Sequence, residues 1–208
     1  MDKIIYTPAQ KLQVIHKVKD SKFYGSIANT KNEDEVKQFI TRIKEKYHDA
    51  THNVSAYKLG SGDQAVKYCD DDGEPAGSSG PPVLQAIEGE GLTNTVIVVT
   101  RYFGGTKLGI GGLIRAYGDT ARKAINESGR KEATLIYKLM VAGDYNLIGT
   151  IMGQIEAHKG KILTTDYNNS GGKIYFLLYP RRYESFKNNV REMTADKITI
   201  NKVEEFYM

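Results

Sequence analysis

The sequence predicts an α+β protein of two domains, the second carrying the ferredoxin-like βαββαβ order. Three observations predict this. Apolar stripes at helical spacing alternate with β-branched runs along the chain, a glycine stop falls near residues 128–134, and from Thr134 the elements read strand, helix, strand, strand, helix, strand. Domains are therefore expected at residues 1–132 and 133–208.

The elements follow in order. Residues 12–18 and 22–30, rich in Val, Ile, Phe and Tyr and divided by Lys19-Asp20-Ser21, read as a hairpin. Asn32 is a good N-cap, and Glu33, Asp34 and Glu35 suit the positive end of a helix dipole. Val36, Phe39, Ile40, Ile43 and Tyr47 then mark an amphipathic helix over 33–47. His52–Leu59 reads as a strand and Val66–Cys69 as a short one, before the turn-forming stretch Asp70–Pro82 and a short helix over Pro82–Glu90. Thr95–Phe103 is β-branched without alternation, as in a strand buried on both faces. A glycine-rich loop from Gly104 to Gly112 follows, then a helix marked by Leu113, Ile114, Tyr117, Ala121, Ala124 and Ile125, with Gly129 as its stop.

In the second domain Asp144 caps a helix carrying Leu147, Ile148, Ile151, Met152 and Ile155, which ends at His158-Lys159-Gly160. Residues 161–167 and 173–179 form a hairpin across Asn168–Gly172. Tyr183, Phe186, Val190 and Met193 define the last helix and Lys197–Val203 the last strand.

Composition narrows the functional classes. Hydrophobic residues at 40% and charged residues at 26% place the 208 residues outside the disordered regime. The net charge of +4 permits a nucleic-acid or phosphate partner without requiring one. Cys69 is the only cysteine, so an intrachain disulfide is excluded and a reducing compartment is expected. Residues 1–8 lack a secretion signal, and the run Val96–Val99 is too short to span a bilayer, so a cytoplasmic location and no membrane partner are expected. His16, His48, His52 and His158 fit no metal-ligand spacing, and no G-x-S-x-G elbow is present. No catalytic residue and no resident metal or cofactor are assigned.

Three segments carry candidate chemistry. The first runs from Arg101 to Tyr117, with five glycines in nine residues between a strand and a helix. Backbone N–H groups at that helix start would favour an anion, with charge from Arg101, Lys107, Arg115 and Arg122 and close approach at Gly104, Gly105, Gly111 and Gly112. The alternative is that the glycines only permit a tight crossover while Arg101 pairs with a carboxylate. The second is Asp70-Asp71-Asp72-Gly73-Glu74-Pro75-Ala76-Gly77-Ser78-Ser79-Gly80. Asp70, Asp71 and Asp72 with Glu74 could hold Mg²⁺ or Ca²⁺, but the spacing is not that of an EF-hand, and a solvated acidic turn, or one partnering Arg101 in a structural network, is favoured. Ser78 and Ser79 could line an anion-cradling nest. The third is the strand 173–179, where alternation would put Lys173, Tyr175 and Tyr179 on one face for base stacking, against an ordinary sheet face with tyrosines. Cys69, beside three aspartates, is expected to be unreactive.

Asp71-Asp72-Gly73-Glu74-Pro75, the stretch Val96 to Gly109, and Gly111-Gly112-Leu113-Ile114-Arg115-Ala116-Tyr117 resemble the motifs of the IMPACT/YigZ family. The resemblance implies a first domain with the fold of ribosomal protein S5 domain 2 and a ferredoxin-like second domain, a pair similar to domains IV and V of elongation factor G. Asp70 stands where relatives usually have serine, and Ala76-Gly77-Ser78-Ser79-Gly80 replaces a typical Ser-Gly-Thr-Ala-Gly, so any role of that threonine hydroxyl passes to Ser78. Eukaryotic relatives are implicated in translational control under amino-acid starvation, by competing for a ribosome-associated activator of an initiation-factor kinase. They carry an RWD domain not found in these residues, so that partner is not carried over.

The leading expectation is a non-enzymatic binding protein associated with RNA or the ribosome, of unassigned oligomeric state. One alternative is a nucleotide- or phosphate-dependent enzyme, by analogy with small-molecule kinases of the S5-type fold, with Mg²⁺ on the acidic segment. The other is a protein-interaction module.

Overall fold

Strands form where the sequence is β-branched and aromatic. The computed structural model describes residues 4–168 and 171–208. Residues 1–3, and residues 169–170 within the predicted turn Asn168–Gly172, lie outside the described residues. The first elements are β1 (Ile4–Pro8), β2 (Leu12–Val18), β3 (Ser21–Asn29), α1 (Glu33–Lys46), β4 (His52–Leu59), β5 (Val66–Asp70), α2 (Gly80–Gly89), β6 (Thr95–Tyr102) and α3 (Ile110–Ser128). Then come β7 (Arg130–Gly143), α4 (Tyr145–Ala157), β8 (Lys161–Asn168), β9 (Gly171–Leu178), α5 (Pro180–Thr194) and β10 (Thr199–Tyr207). The chain divides into a unit of Ile5–Glu132 and a second unit containing Ala133–Met208.

The first unit is an antiparallel sheet in the order β2-β3-β6-β4-β5 with helices on both sides. Strand β6 shows why. Val96 and Val98 pack with Val36, Phe39 and Ile43 of α1, while Ile97 and Val99 pack with Val83 and Ile87 of α2 and Leu113, Tyr117 and Ile125 of α3. A run apolar at every position from Val96 to Val99 has two faces to bury, and the helices supply both covers.

The helix boundaries follow local chemistry. Asn32 Oδ1 accepts from the Glu35 N–H at 2.9 Å, and Glu35 Oε2 accepts from the Lys31 N–H at 2.8 Å. This reciprocal clasp starts α1 as the sequence predicts. α2 begins at Gly80 rather than Pro82, because prolines are tolerated in a first turn whose N–H groups have no helical partner. α3 begins at Ile110, so Gly111 and Gly112 belong to its first turn and the glycine-rich loop is shorter than predicted. Gly129, at φ +70°, closes α3. Strand β1 was not anticipated; the Thr93 N–H donates to the Tyr6 carbonyl at 2.9 Å beside it.

The second unit has the sheet order β10-β7-β9-β8, each neighbouring pair antiparallel. This is the ferredoxin-like order predicted from the element succession. Its core joins Leu139, Val141, Ile174 and Phe176 of the sheet to Ile151, Ile155, Phe186 and Val190 of the helices. Among the described residues no helix is long and apolar enough to cross a membrane.

Phe176 is fully buried, its ring centroid 5.2 Å from that of Phe186. Phe176→Ala is expected to lower stability by about 3–5 kcal/mol, read by urea denaturation. A loss under about 1 kcal/mol would mean that this core is not close-packed.

Candidate functional site

The acidic segment after β5 is held from every side. Asp71 Oδ1 accepts from the Ser79 N–H at 2.9 Å, the Ser79 hydroxyl at 2.6 Å and the Gly80 N–H at 2.8 Å, and Oδ2 accepts from the Gly77 N–H at 2.7 Å. The Gly-Ser-Ser-Gly cradle is thus a nest, and its anion is the protein's own Asp71 at the start of α2. Burial raises the Asp71 pKa, but the Ser79 hydroxyl and the three N–H donors outweigh it and hold the carboxyl below its ordinary value. The Ser78 hydroxyl donates to the Pro75 carbonyl at 2.6 Å, which tightens the same turn.

Asp72 is also engaged. Its Oδ1 accepts from Lys44 Nζ and its Oδ2 from the Asn53 N–H, both at 2.6 Å, while its carbonyl lies 2.7 Å from His52 Nδ1. Glu74 is 8% exposed and Arg101 is 5% exposed. Their Oε1 and Nη1 are 2.6 Å apart, and the Tyr117 hydroxyl donates to the same oxygen at 2.7 Å. Burial, then Glu74, push the Tyr117 phenol far above its ordinary value, so it is a permanent donor. The Arg101 guanidinium carbon lies 5.6 Å from the Phe23 ring centroid and 5.4 Å from that of Phe103, a sandwich that suits a buried cation.

These partners correct the sequence reading. Arg101 does not belong to an anion-binding surface, because β6 turns it toward the core, where Glu74 neutralises it. Asp71, Asp72 and Glu74 are committed to a helix N-terminus, a lysine and an arginine. Among the described residues no group of three or more His, Cys, Asp or Glu side chains is placed to hold a metal ion. Cys69 behaves as expected, since burial, then Asp71 and Asp70, push its thiol up.

The loop between β6 and α3 is different. Gly104 packs backbone to backbone on the β2–β3 turn, where a Cβ would collide with the Asp20 carbonyl. The Thr106 hydroxyl donates to Asp20 Oδ2 at 2.6 Å, fixing the loop there. Gly105 and Lys107 are exposed. Gly109 caps α3 at φ +72° without a side-chain cap bond, and the first turn holds no acid. Leu113 makes the first helical bond, to the Gly109 carbonyl at 2.9 Å. Open space lies over Gly105, Gly109 and Gly111, whereas Gly112 sits against Leu108. Arg115 is exposed and donates to the Gly111 carbonyl at 3.3 Å. Among the described residues Lys107 and Arg115 have no ion pair, while Arg122 bonds Asp119 at 2.6 Å on the surface. Around them Phe103, Ile110 and Ile114 are exposed.

Sequence reasoning missed a cleft beside this loop. It measures about 510 Å³ and is lined by Asp20, Lys22, Tyr24, Tyr47, Tyr102 and Phe103. The usable signal was the alternation Lys22, Tyr24 on β3 opposite Tyr102 on β6. In the second unit, Lys173 is exposed and Tyr175 half-buried on one face of β9, but Tyr179 lies past the strand as the N-cap of α5. Pro180 ends the strand and Arg181 covers the Tyr179 ring at 5.7 Å, so the three do not form the single face that alternation predicts.

The model of the Impact N-terminal domain matches residues 19–125, spanning β3 to α3. The chain is 35% identical over 193 residues to the IMPACT family member YvyE of Bacillus subtilis, covering 92% of this chain and 87% of that protein. The chain belongs to the IMPACT family. It is also 32% identical over 161 residues to the family member YigZ of Escherichia coli, covering 77% of this chain and 79% of the relative. Mouse Protein IMPACT is 33% identical over 93 residues, which are 43% of this chain and 29% of that protein. Among solved structures, one described as a crystal structure of a hypothetical protein matches at a TM-score of 0.73 and 26% identity, covering 98% of both chains. The IMPACT motifs in this chain thus divide into a half engaged in internal contacts, through Asp71, Asp72, Glu74, Ser79, Arg101 and Tyr117, and a mostly exposed half, Gly105 to Arg115.

The Asp71 carboxylate supplies a test. A group held below its ordinary pKa adds stability that is present at neutral pH and lost as pH falls through its folded value. Asp71→Asn is therefore expected to lower the melting temperature at pH 7 and to reduce its fall below about pH 4. An unchanged acid limb would mean that the nest does not hold the charged form.

Proposed function

We propose that the protein is a non-enzymatic binding protein that docks RNA, in or near the ribosome, on the exposed surface formed by the β6–α3 loop and the first turns of α3. One observation carries this reading. Lys107 and Arg115 stand without an ion pair among the described residues beside an uncapped helix start, while Asp71, Asp72 and Glu74 of the neighbouring acidic segment already have partners within the protein. A helix N-terminus with two unneutralised cations and bare glycine backbone favours a phosphate. Arg122 lies seven residues beyond Arg115 on the same side of α3, and its exposed pair with Asp119 is weak enough to exchange for a phosphate. The translational role implied for eukaryotic relatives by the resemblance agrees with such a partner.

The commitment of Asp71, Asp72 and Glu74 counts against the nucleotide-dependent enzyme, which needs at least one of them on a metal. The exposed apolar side chains Ile110 and Ile114, one turn apart on α3, favour a protein component of the ribosome as the second reading.

With Arg101 buried, three phosphate contacts remain, from Lys107, Arg115 and Arg122. Ribosome co-sedimentation across a salt series is then expected to give a log–log slope of about −2, from ~0.7 per contact on a single strand. Replacing all three residues by alanine should weaken association by roughly tenfold or more at low salt. A flat salt profile with no loss in the triple variant would overturn the RNA reading, and association that survives nuclease would select the protein partner.

A further inference from the structure

The side of the first-unit sheet that carries α1 is only partly covered. α1 ends at Lys46 and its C-cap is Tyr47, and beside Tyr47 a cleft opens on the sheet. Its floor there is set by register. Lys22 and Tyr24 alternate along β3, Tyr102 on β6 is the cross-strand partner of Lys22, and Lys17 on β2 is its partner on the other side. These side chains share one face.

The aromatic groups in this cleft are held before any ligand arrives. Tyr24 and Tyr47 stack with centroids 5.5 Å apart, and Tyr102 meets them edge-on at 5.9 and 6.4 Å. The Tyr47 hydroxyl donates to Gln13 Oε1 at 2.7 Å and the Tyr102 hydroxyl to Asp49 Oδ1 at 2.6 Å. That bond to Asp49, with burial second, pushes the Tyr102 pKa up to about 12, so the phenol stays protonated. Three fixed rings thus line a cleft large enough for a nucleobase.

Two lysines face each other at its rim. Lys17 and Lys22 are directly opposite across two strands and exposed, an arrangement that is unfavourable by itself. Among the described residues neither has an ion pair. The two nearby acids are engaged by hydroxyls, Asp20 by Thr106 and Asp49 by Tyr102. Two adjacent cations over pinned aromatic rings match the combination that holds single-stranded nucleic acid, a phosphate on the cations with a base against the rings.

We infer that this cleft is a stacking subsite for an unpaired base of single-stranded RNA, with the adjoining phosphate on Lys17 and Lys22. The inference rests on the RNA reading above and extends it. Asp20 lines the cleft and also anchors the loop through Thr106, and Phe103 lines the cleft at the end of β6, so the loop and the cleft adjoin at that end of the sheet.

The test uses the full chain and two twelve-nucleotide fluorescein-labelled RNAs, oligo-U and oligo-A, read by anisotropy, with thermal unfolding run on every variant. An oligo-A carrying one 2-aminopurine reports stacking by loss of its fluorescence. Tyr24→Leu is expected to lose roughly tenfold in affinity and most of the quenching, while Tyr24→Phe, which keeps the ring, binds as wild type. Lys17→Gln with Lys22→Gln, which removes one phosphate contact, is expected to reduce the salt slope by about 0.7. Should Tyr24→Leu fail to fold, the lysine pair and the quenching carry the test. If the Lys107, Arg115 and Arg122 variant weakens binding but the cleft variants do not, the cleft inference is overturned and the RNA reading stands. If wild type binds neither oligonucleotide, nor ribosomes in a nuclease-sensitive way, both fail. Equal affinity for duplex and single strand would also overturn the stacking site.

Discussion

The Glu74–Arg101 ion pair, buried under Tyr117, is the constraint on which the first unit depends. It joins three otherwise separate pieces, the turn after β5, the end of β6 and the middle of α3. A buried charge without its partner costs several kcal/mol, so none of these pieces can shift without the others. The guanidinium between Phe23 and Phe103 extends the restraint to β3 and to the point where the exposed loop leaves the sheet. The pair therefore positions a surface that it does not itself reach.

The two helices beside it show how the same element serves opposite purposes. α2 begins in a nest filled by Asp71, an internal anion that closes the site to any other. α3 begins at Gly109 with no acid in its first turn and open space over Gly111, with Lys107 before it and Arg115 one turn along. Identical backbone chemistry is satisfied within the fold at one helix and presented to solvent at the other. The division of the IMPACT motifs into a structural and a presenting half follows from that difference.

Much of this was legible in the sequence where a pattern has a single physical cause. The spacing of Val36, Phe39, Ile40 and Ile43, the cap at Asn32 and the unbroken β-branched run of β6 each predicted their element, and the second-domain order predicted its sheet. Helix starts at glycine and proline were displaced by two or three residues, since Gly111, Gly112 and Pro81 fit a first turn as well as a loop. The role of Arg101 was not decidable from its neighbours in sequence. Position 101 faces inward because of strand alternation, but only the fold brings Glu74 and Tyr117, 27 residues before and 16 after, to its guanidinium. The tyrosine cleft was invisible for the same reason, because Tyr24, Tyr47 and Tyr102 meet only through sheet register and the length of α1.

The central claim, that Glu74 and Arg101 serve as scaffold through their mutual contact, is tested most directly by a double-mutant cycle on stability. Glu74→Leu, Arg101→Met and the double variant would be compared by denaturant unfolding. A pair that acts as one unit predicts two costly single changes and a double variant that recovers part of the loss, a coupling energy of roughly 1–3 kcal/mol. Additivity within about 0.5 kcal/mol would show that the two groups contribute independently, and would contradict the account.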